Sequence, residues 1–189
     1  MKYGEPLGWQ AELELGFSRR GESTVLARRR HVGPLAVQKP FYPEGEAVCH
    51  AIVLHPPAGI AGGDELRIGV EVEAGAQALL TTPGAGKWYR SDGRRAQQDV
   101  TIKVSPHGTA EWLPQETIVF DGARATMRTD VLLGAGARYL GWEILCLGRS
   151  ASGERFGRGS LQLSTRIARE GRLLWAEQGA IEGGSPWLE

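Results

Sequence analysis

Cysteine is scarce in this chain of 189 residues, which contains two. Cys49 and Cys146 lie far apart in apolar, alternating runs. That separation is typical neither of a disulfide framework nor of a zinc knuckle. We expect both thiols to be reduced and buried, as in proteins of a reducing compartment.

Net charge and long apolar runs are also lacking. The 22 Lys and Arg residues balance the 22 Asp and Glu residues, so the formal net charge is 0. A neutral chain has no general attraction for nucleic acid or for an anionic membrane. No run of about 18 apolar residues occurs, and residues 1–17 contain no apolar signal core. We therefore expect a cytoplasmic protein whose partners are neither nucleic acid nor membrane.

Convincing helical patterns are absent, whereas strand patterns are frequent. Apolar residues recur at every second position in windows such as 9–17, 66–72 and 100–104. This period indicates strands with one buried face, and glycine turns separate them. Because no linker or low-complexity segment divides the chain, we predict a single β domain over residues 1–189.

A weak internal repeat links four segments, which begin at residues 73, 105, 133 and 168. Each segment reads strand end, glycine turn, apolar strand and polar residues, and the turns contain Gly75, Gly108, Gly136 and Gly171. Units spaced by about 30 residues typically stack and share one core. The polar residues that follow each turn align nearly level: Thr81, Thr82, Gln115, Glu116, Glu143 and Glu177. They form either a polar column or the ordinary polar ends of sandwich strands, and the pattern favours neither.

Several carboxylates lie in or beside apolar strands, where an unpaired buried charge costs several kcal/mol. Each therefore needs a compensating group, and ion pairs with arginine are favoured over contact with a transient divalent cation. The acids are Asp64, Glu116, Asp121, Glu143 and Glu177, and the candidate arginines are Arg67, Arg90, Arg124 and Arg149. The four histidines show no metal-ligand spacing, so we expect no structural zinc site.

Two motifs resemble catalytic loops but fail in detail. In PGAGKWY, residues 83–89, Trp88 follows Lys87 where a phosphate loop needs Ser or Thr, and Thr81 replaces a required glycine. In LGRSASGERFG, residues 147–157, Ser152 takes the place of the second glycine of a nucleophile elbow. We expect neither a nucleotide-binding site nor a serine hydrolase, and we predict no catalytic residues.

Four blocks occur in one order along the chain: HPPAGIAGGD from residue 55, LTTPGAGK from 80, WLPQETIVFDGA from 112 and LGRSASGE from 147. Together they are similar to the urease accessory protein D family (UreD, also called UreH), from about Trp9 to the end of the chain. The resemblance implies a mainly β fold of two stacked sheets with a helix-like winding of strand-turn-strand units. The family continues further, so we expect the C-terminal part of its fold to be missing here.

The resemblance also implies a function that is not enzymatic. Such a chain would be a scaffold and nickel-conducting component of the GTP-dependent complex that assembles the nickel metallocentre of urease. The implied partners are the urease apoprotein and the F-type and G-type urease accessory proteins, with the GTPase in the partner. No cofactor would be bound permanently, and a nickel ion would be bound transiently.

A path for nickel needs oxygen, nitrogen or water ligands that release the ion again. We predict such a path at Asp64, Glu143 and Glu177. The glycines around Asp64, with the stiffening Pro56 and Pro57, would hold its carboxylate at an entrance. Further binding residues are expected to be Thr81, Thr82, Lys87, Glu116, Asp121 and Arg149. The alternatives are a β-fold enzyme that uses a carboxylate pair and a purely structural adaptor.

Overall fold

A computed structural model describes residues 8–188 of the protein. Its elements are fifteen β-strands and two short 3-10 helices, Ser150–Ser152 and Pro186–Leu188, so the predicted mainly β class is confirmed. No helix in this range is long and apolar enough to cross a membrane. The predicted domain also includes residues 1–7 and 189, which lie outside the described residues. The strands are β1 Gln10–Arg20, β2 Ser23–Val32, β3 Ala36–Val37, β4 Val48–Leu54, β5 Glu65–Val72, β6 Gln77–Thr81, β7 Gly86–Trp88, β8 Ala96–Val104, β9 Thr109–Leu113, β10 Thr117–Val119, β11 Arg124–Leu133, β12 Arg138–Gly141, β13 Leu145–Leu147, β14 Ser160–Arg169 and β15 Arg172–Glu182.

The strands form three sheets. A seven-stranded sheet has the order β15-β14-β11-β8-β5-β1-β2, a five-stranded sheet the order β12-β9-β6-β4-β3, and a three-stranded sheet the order β13-β10-β7. Neighbouring inner strands are parallel, and antiparallel pairs occur only at edges, with β2, β15 and β3. Parallel neighbours require crossover connections, so the chain must leave each sheet and return to it.

The chain winds in coils, and in each coil it contributes one segment to each of the three sheets in turn. The first coil comprises β1, β4 and the loop at Ile60, the second β5, β6 and β7, the third β8, β9 and β10, and the fourth β11, β12 and β13. Glu65 pairs with Gln97 in the large sheet, and Gln77 pairs with Thr109 in the five-stranded sheet. The chain turns from β5 to β6 at Gly75, and the φ of 69° at this position favours glycine. The predicted helix-like winding of stacked sheets is confirmed, with a third, small sheet added.

The fourth repeat folds differently from the first three. After β14 the chain turns at Glu170 and Gly171 and returns as β15, antiparallel in the same sheet, with Glu177 opposite Thr165. No described strand therefore covers the outer edge of β12. Near this end of the coil Leu140, Trp142 and Trp175 are 54%, 46% and 56% exposed.

The core lies between the sheets and follows the alternating pattern. Leu13, Leu15 and Phe17 of β1 are fully buried, as a strand with one inner face requires. Cys49 is also buried, but Cys146 is exposed, so the prediction of two buried thiols is wrong for Cys146. Its neighbours in β13, Leu145 and Leu147, pack against the core, and alternation turns Cys146 outward.

Candidate functional site

One corner of the coil collects polar residues from four successive turns of the chain. The parallel strands β4, β6, β9 and β12 all end at this edge of the five-stranded sheet, since Ile52 pairs with Thr81 and Thr81 with Leu113. The amide of Trp142 continues the row by donating to the carbonyl of Trp112 at 3.3 Å. We name the polar residues that follow these strands the corner column: His55, Thr82, Gln115 and Glu143.

A cavity of about 440 Å³ lies against the corner column and is called the corner cavity below. All four column residues line it, together with Lys87, Gln98 and Thr117. Its other walls are largely apolar and include Leu66, Ile68, Trp112 and Met127. The corner cavity is therefore an apolar space with polar groups spaced along one side.

A second cavity of about 310 Å³ lies at the end of the coil and is called the end cavity. Glu143, Glu177, Thr129 and Thr165 line it, with aromatic walls that include Tyr139, Trp142 and Trp175. Glu143 and Trp112 line both cavities. The Glu143 carboxyl group thus belongs to the boundary between two polar-lined spaces.

Glu143 has an unusual electrostatic environment. Burial of its carboxyl group raises its pKa, the hydrogen bond from Thr129 opposes this rise, and the charge of Glu177 adds to it. Thr129 Oγ1 donates that hydrogen bond to Glu143 Oε1 at 3.1 Å. Much of Glu143 is exposed at the rim of the two cavities, but its carboxyl group is partly desolvated. Burial also raises the pKa of the neighbouring Tyr139 to about 12, and the charge of Glu143 contributes.

Asp64 lines neither the corner cavity nor the end cavity, although its charge acts on His55 of the corner column. It is 2% exposed, and its carboxylate accepts two backbone hydrogen bonds. Trp9 N donates to Oδ1 and Ala61 N donates to Oδ2, both at 2.8 Å. Glu143 and Glu177 both line the end cavity, whereas Asp64 does not.

The glycine-rich loop around Asp64 closes the first coil. Ile60 forms a parallel bridge with Trp88, so this loop continues the three-stranded sheet. Close backbone contact requires glycine here, because a Cβ at Gly8 would lie 2.1 Å from the Gly63 carbonyl carbon. Gly63 itself has φ of 96°. The buried carboxylate of Asp64 fixes the loop to the chain segment that precedes β1.

The other predicted binding residues divide into two groups. Thr82 and Lys87 line the corner cavity, whereas the hydroxyl of Thr81 donates to the carbonyl of Leu113 at 2.7 Å, within the sheet. Thr82 Oγ1 accepts a hydrogen bond from Gln115 N at 3.0 Å, which links two residues of the corner column.

Glu116, Asp121 and Arg149 line neither cavity. Asp121 pairs with Arg158 at 2.6 Å, and this hydrogen-bonded arginine lowers its pKa. Its partner is thus not one of the arginines named from the sequence. Arg149 pairs with Glu154 at 2.6 Å and lies 4.5 Å from the ring centroid of Phe120. The Asp121–Arg158 and Arg149–Glu154 pairs hold surface loops in place.

Sequence reasoning missed His55 as a site residue. The repeat was recognised from β5 onward, so the strand that occupies the same place in the first coil, β4, was not aligned with the others. His55 follows β4 as Thr82 follows β6, and that correspondence was the available signal. Its Nε2 atom is buried and has no hydrogen-bond partner among the described residues.

No group of three or more His, Cys, Asp or Glu side chains within residues 8–188 could hold a metal ion. The donors of the two cavities are dispersed along one side instead of being gathered at one point. Tight binding of a metal ion needs several ligands at one point.

Comparisons with known proteins give one consistent result. A family model described as UreD urease accessory protein matches residues 10–189. The urease accessory protein UreD of Dechloromonas aromatica (strain RCB) is 61% identical over 180 residues, which cover 95% of this chain and 62% of that relative. The UreD of Azoarcus sp. (strain BH72) is 58% identical over 182 residues, which cover 96% of this chain and 64% of the relative. The chain therefore spans less than two thirds of the length of these curated relatives.

Proposed function

The chain belongs to the UreD family of urease accessory proteins, and we propose that it is a scaffold and nickel-conducting component of the complex that assembles the urease metallocentre. In this proposal it acts in the cytoplasm, without catalysis of its own, and binds the urease apoprotein and the F-type accessory protein. The G-type accessory protein supplies GTP hydrolysis.

The observation that carries the proposal is the pair of cavities that share Glu143. Polar groups from four successive coils line the corner cavity, and a second carboxylate, Glu177, lines the end cavity. A nickel ion that enters the corner cavity would meet hydroxyl, amide and carboxylate oxygens in sequence. Nickel is the cargo of this path and not a resident cofactor.

The electrostatic environment of Glu143 supports transfer of a nickel ion rather than its storage. A carboxyl group whose pKa is raised by burial and by a like charge is the more easily neutralised by a proton or by a cation. An arriving divalent ion would relieve the repulsion between Glu143 and Glu177. The ion is released again because no third acidic or imidazole ligand completes a cage among the described residues.

The assignment of nucleotide hydrolysis to a partner agrees with the loop at residues 83–89. Trp88, which follows Lys87 there, is 2% exposed. Lys87 itself lines the corner cavity. The buried indole of Trp88 takes the place at which a phosphate loop presents a hydroxyl group to magnesium.

Glu143→Gln provides the test of conduction. The substitution keeps the shape of the side chain and removes its charge, so the ion loses the carboxylate that borders both cavities. We expect nickel-dependent activation of apo-urease to fall several-fold while the complex of accessory proteins still forms. Activation is measured as urease activity after incubation with nickel and GTP, and assembly is measured by size-exclusion chromatography.

Glu73→Gln is the matched control, because Glu73 is an exposed carboxylate outside both cavities. It should leave activation unchanged. If Glu143→Gln also activates urease normally, nickel does not pass this residue and the chain is a structural adaptor. If Glu143→Gln abolishes a hydrolytic or transfer activity that the isolated chain shows, the carboxylate-pair enzyme replaces the proposal.

A further inference from the structure

His55 contains a polar atom that the fold itself leaves unused. Its Nε2 is buried without a hydrogen-bond partner among the described residues, and a buried polar atom of this kind costs about 1–3 kcal/mol. By contrast, Nε2 of the buried His50 lies 2.7 Å from Oε1 of Glu44. Since most buried polar groups in folded proteins form hydrogen bonds, the unpartnered Nε2 of His55 requires an explanation.

The position of His55 supplies that explanation. It is the first member of the corner column and lines the corner cavity with Thr82, Gln115 and Glu143. The side chain therefore borders a space that we propose carries a metal ion. A rotation of the imidazole ring would turn this unpartnered nitrogen toward a guest of the cavity.

The protonation state of His55 suits a ligand. Burial lowers the pKa of its imidazole, and the nearby charge of Asp64 opposes part of this shift. A neutral imidazole keeps one nitrogen lone pair free for a metal ion. The buried cationic ring would offer no lone pair.

Oxygen donors alone do not separate nickel from magnesium. The other polar groups that line the corner cavity supply carboxylate, hydroxyl and amide oxygens, which suit magnesium and calcium, whereas imidazole suits nickel, copper and zinc. On the basis of the proposed function, we infer that His55 is the selective nitrogen ligand of the corner cavity, which binds nickel transiently and excludes magnesium.

The contact is expected to be weak. His55 supplies one imidazole, the oxygen groups of the corner cavity would add weak contacts that the exposed histidines lack, and water would complete the coordination of the ion. The corner cavity of about 440 Å³ has room for this shell, since one water occupies about 30 Å³. A single imidazole with water releases its ion readily, as a conducting path requires.

Nickel titration of the untagged chain, followed by NMR of histidine side-chain nitrogens, tests the inference. The chain has four histidines, His31, His50, His55 and His107. Paramagnetic Ni²⁺ at substoichiometric concentration should broaden the His55 resonances before those of the exposed His31 and His107. Magnesium in large excess should leave the His55 resonances unchanged. Equal broadening of all four histidines, or a magnesium shift at His55, overturns the inference.

The matched variants are His55→Gln and His107→Gln. His55→Gln should weaken nickel binding at least several-fold and should allow magnesium to compete, whereas His107→Gln should do neither. If His55→Gln fails to fold, the titration of the unaltered chain still decides the question. Unchanged nickel affinity in a folded His55→Gln chain refutes the inference.

Urease activation separates this inference from the proposed function. With nickel at low and magnesium at high concentration, His55→Gln should activate poorly, and excess nickel should restore activation. Glu143→Gln should fail under both conditions. If Glu143→Gln activates normally while Ni²⁺ broadens His55 first, conduction is refuted and His55 remains a nickel site. If His55→Gln behaves as the unaltered chain while Glu143→Gln fails, the selective role is refuted and conduction stands.

Discussion

At the scale of single residues, Asp64 and Glu143 are chemically similar groups in opposite situations. Two backbone amides at 2.8 Å satisfy the charge of Asp64. Glu143 accepts one hydrogen bond from Thr129 and is repelled by the charge of Glu177. Satisfied charges hold a fold together, whereas an incompletely satisfied carboxylate remains available to a ligand.

Asp64→Ala should destabilise the chain. It removes the acceptor of two amide hydrogens, Trp9 N and Ala61 N, so that both lose their partner. The expected loss of unfolding free energy is about 3 kcal/mol, measured by urea unfolding. Asp64→Asn should cost less because it retains one acceptor oxygen. An unchanged urea midpoint for the alanine variant would show that these hydrogen bonds do not hold the loop.

Glu143→Gln should stabilise the chain at neutral pH. The pKa of Glu143 in the folded chain is raised above its ordinary value of 4.5. As the pH rises above 4.5, the unfolded chain loses this proton first, so folding stability falls until the folded pKa is passed. The glutamine variant carries no charge and avoids this loss.

Thermal unfolding measures this difference. The melting temperature of Glu143→Gln should exceed that of the unaltered chain at pH 7, and the excess should vanish below about pH 4, where both chains are neutral at this position. Glu73→Gln again serves as the control. A lower melting temperature for Glu143→Gln at pH 7 would contradict the assigned direction of the pKa shift.

At the scale of the elements, the hairpin of β14 and β15 decides how the coil ends. The turn at Gly171 follows the same strand-turn pattern as the turn at Gly75, yet it reverses the chain within one sheet. The edge of β12 and the side of β15 therefore present apolar residues to solvent. Leu173, Leu174 and Trp175 are each about half exposed.

This face should bind an apolar dye. Trp175→Ser should reduce the fluorescence of bound anilinonaphthalene sulfonate while the melting temperature changes little, because 56% of Trp175 is exposed. Trp88→Ser gives the contrast: Trp88 is 2% exposed and packs in the core, so its loss should cost about 3–5 kcal/mol. Undiminished dye fluorescence in the Trp175 variant would place the dye elsewhere.

At the scale of the whole molecule, the coil turns a sequence repeat into a spatial column. Parallel pairing of β4, β6, β9 and β12 brings residues that are far apart in sequence to one corner. Thr82, Gln115 and Glu143 were recognised from the repeat, and the fold adds His55 from the coil before them. The conduction experiments with Glu143→Gln and His55→Gln therefore examine the column as a unit.

The sequence by itself determined the strand content, the coiled stacking and the family, because period-two alternation, recurrent glycine turns and ordered motifs are local properties of the chain. It also predicted that Glu143 and Glu177 lie on one path, and both residues line the end cavity. Three features were decided only in three dimensions: the burial of Asp64 under two amides, the exposure of Cys146 and the unsatisfied nitrogen of His55. Each depends on which distant backbone or side chain lies opposite, and a local pattern specifies the facing direction of a residue but not its partner.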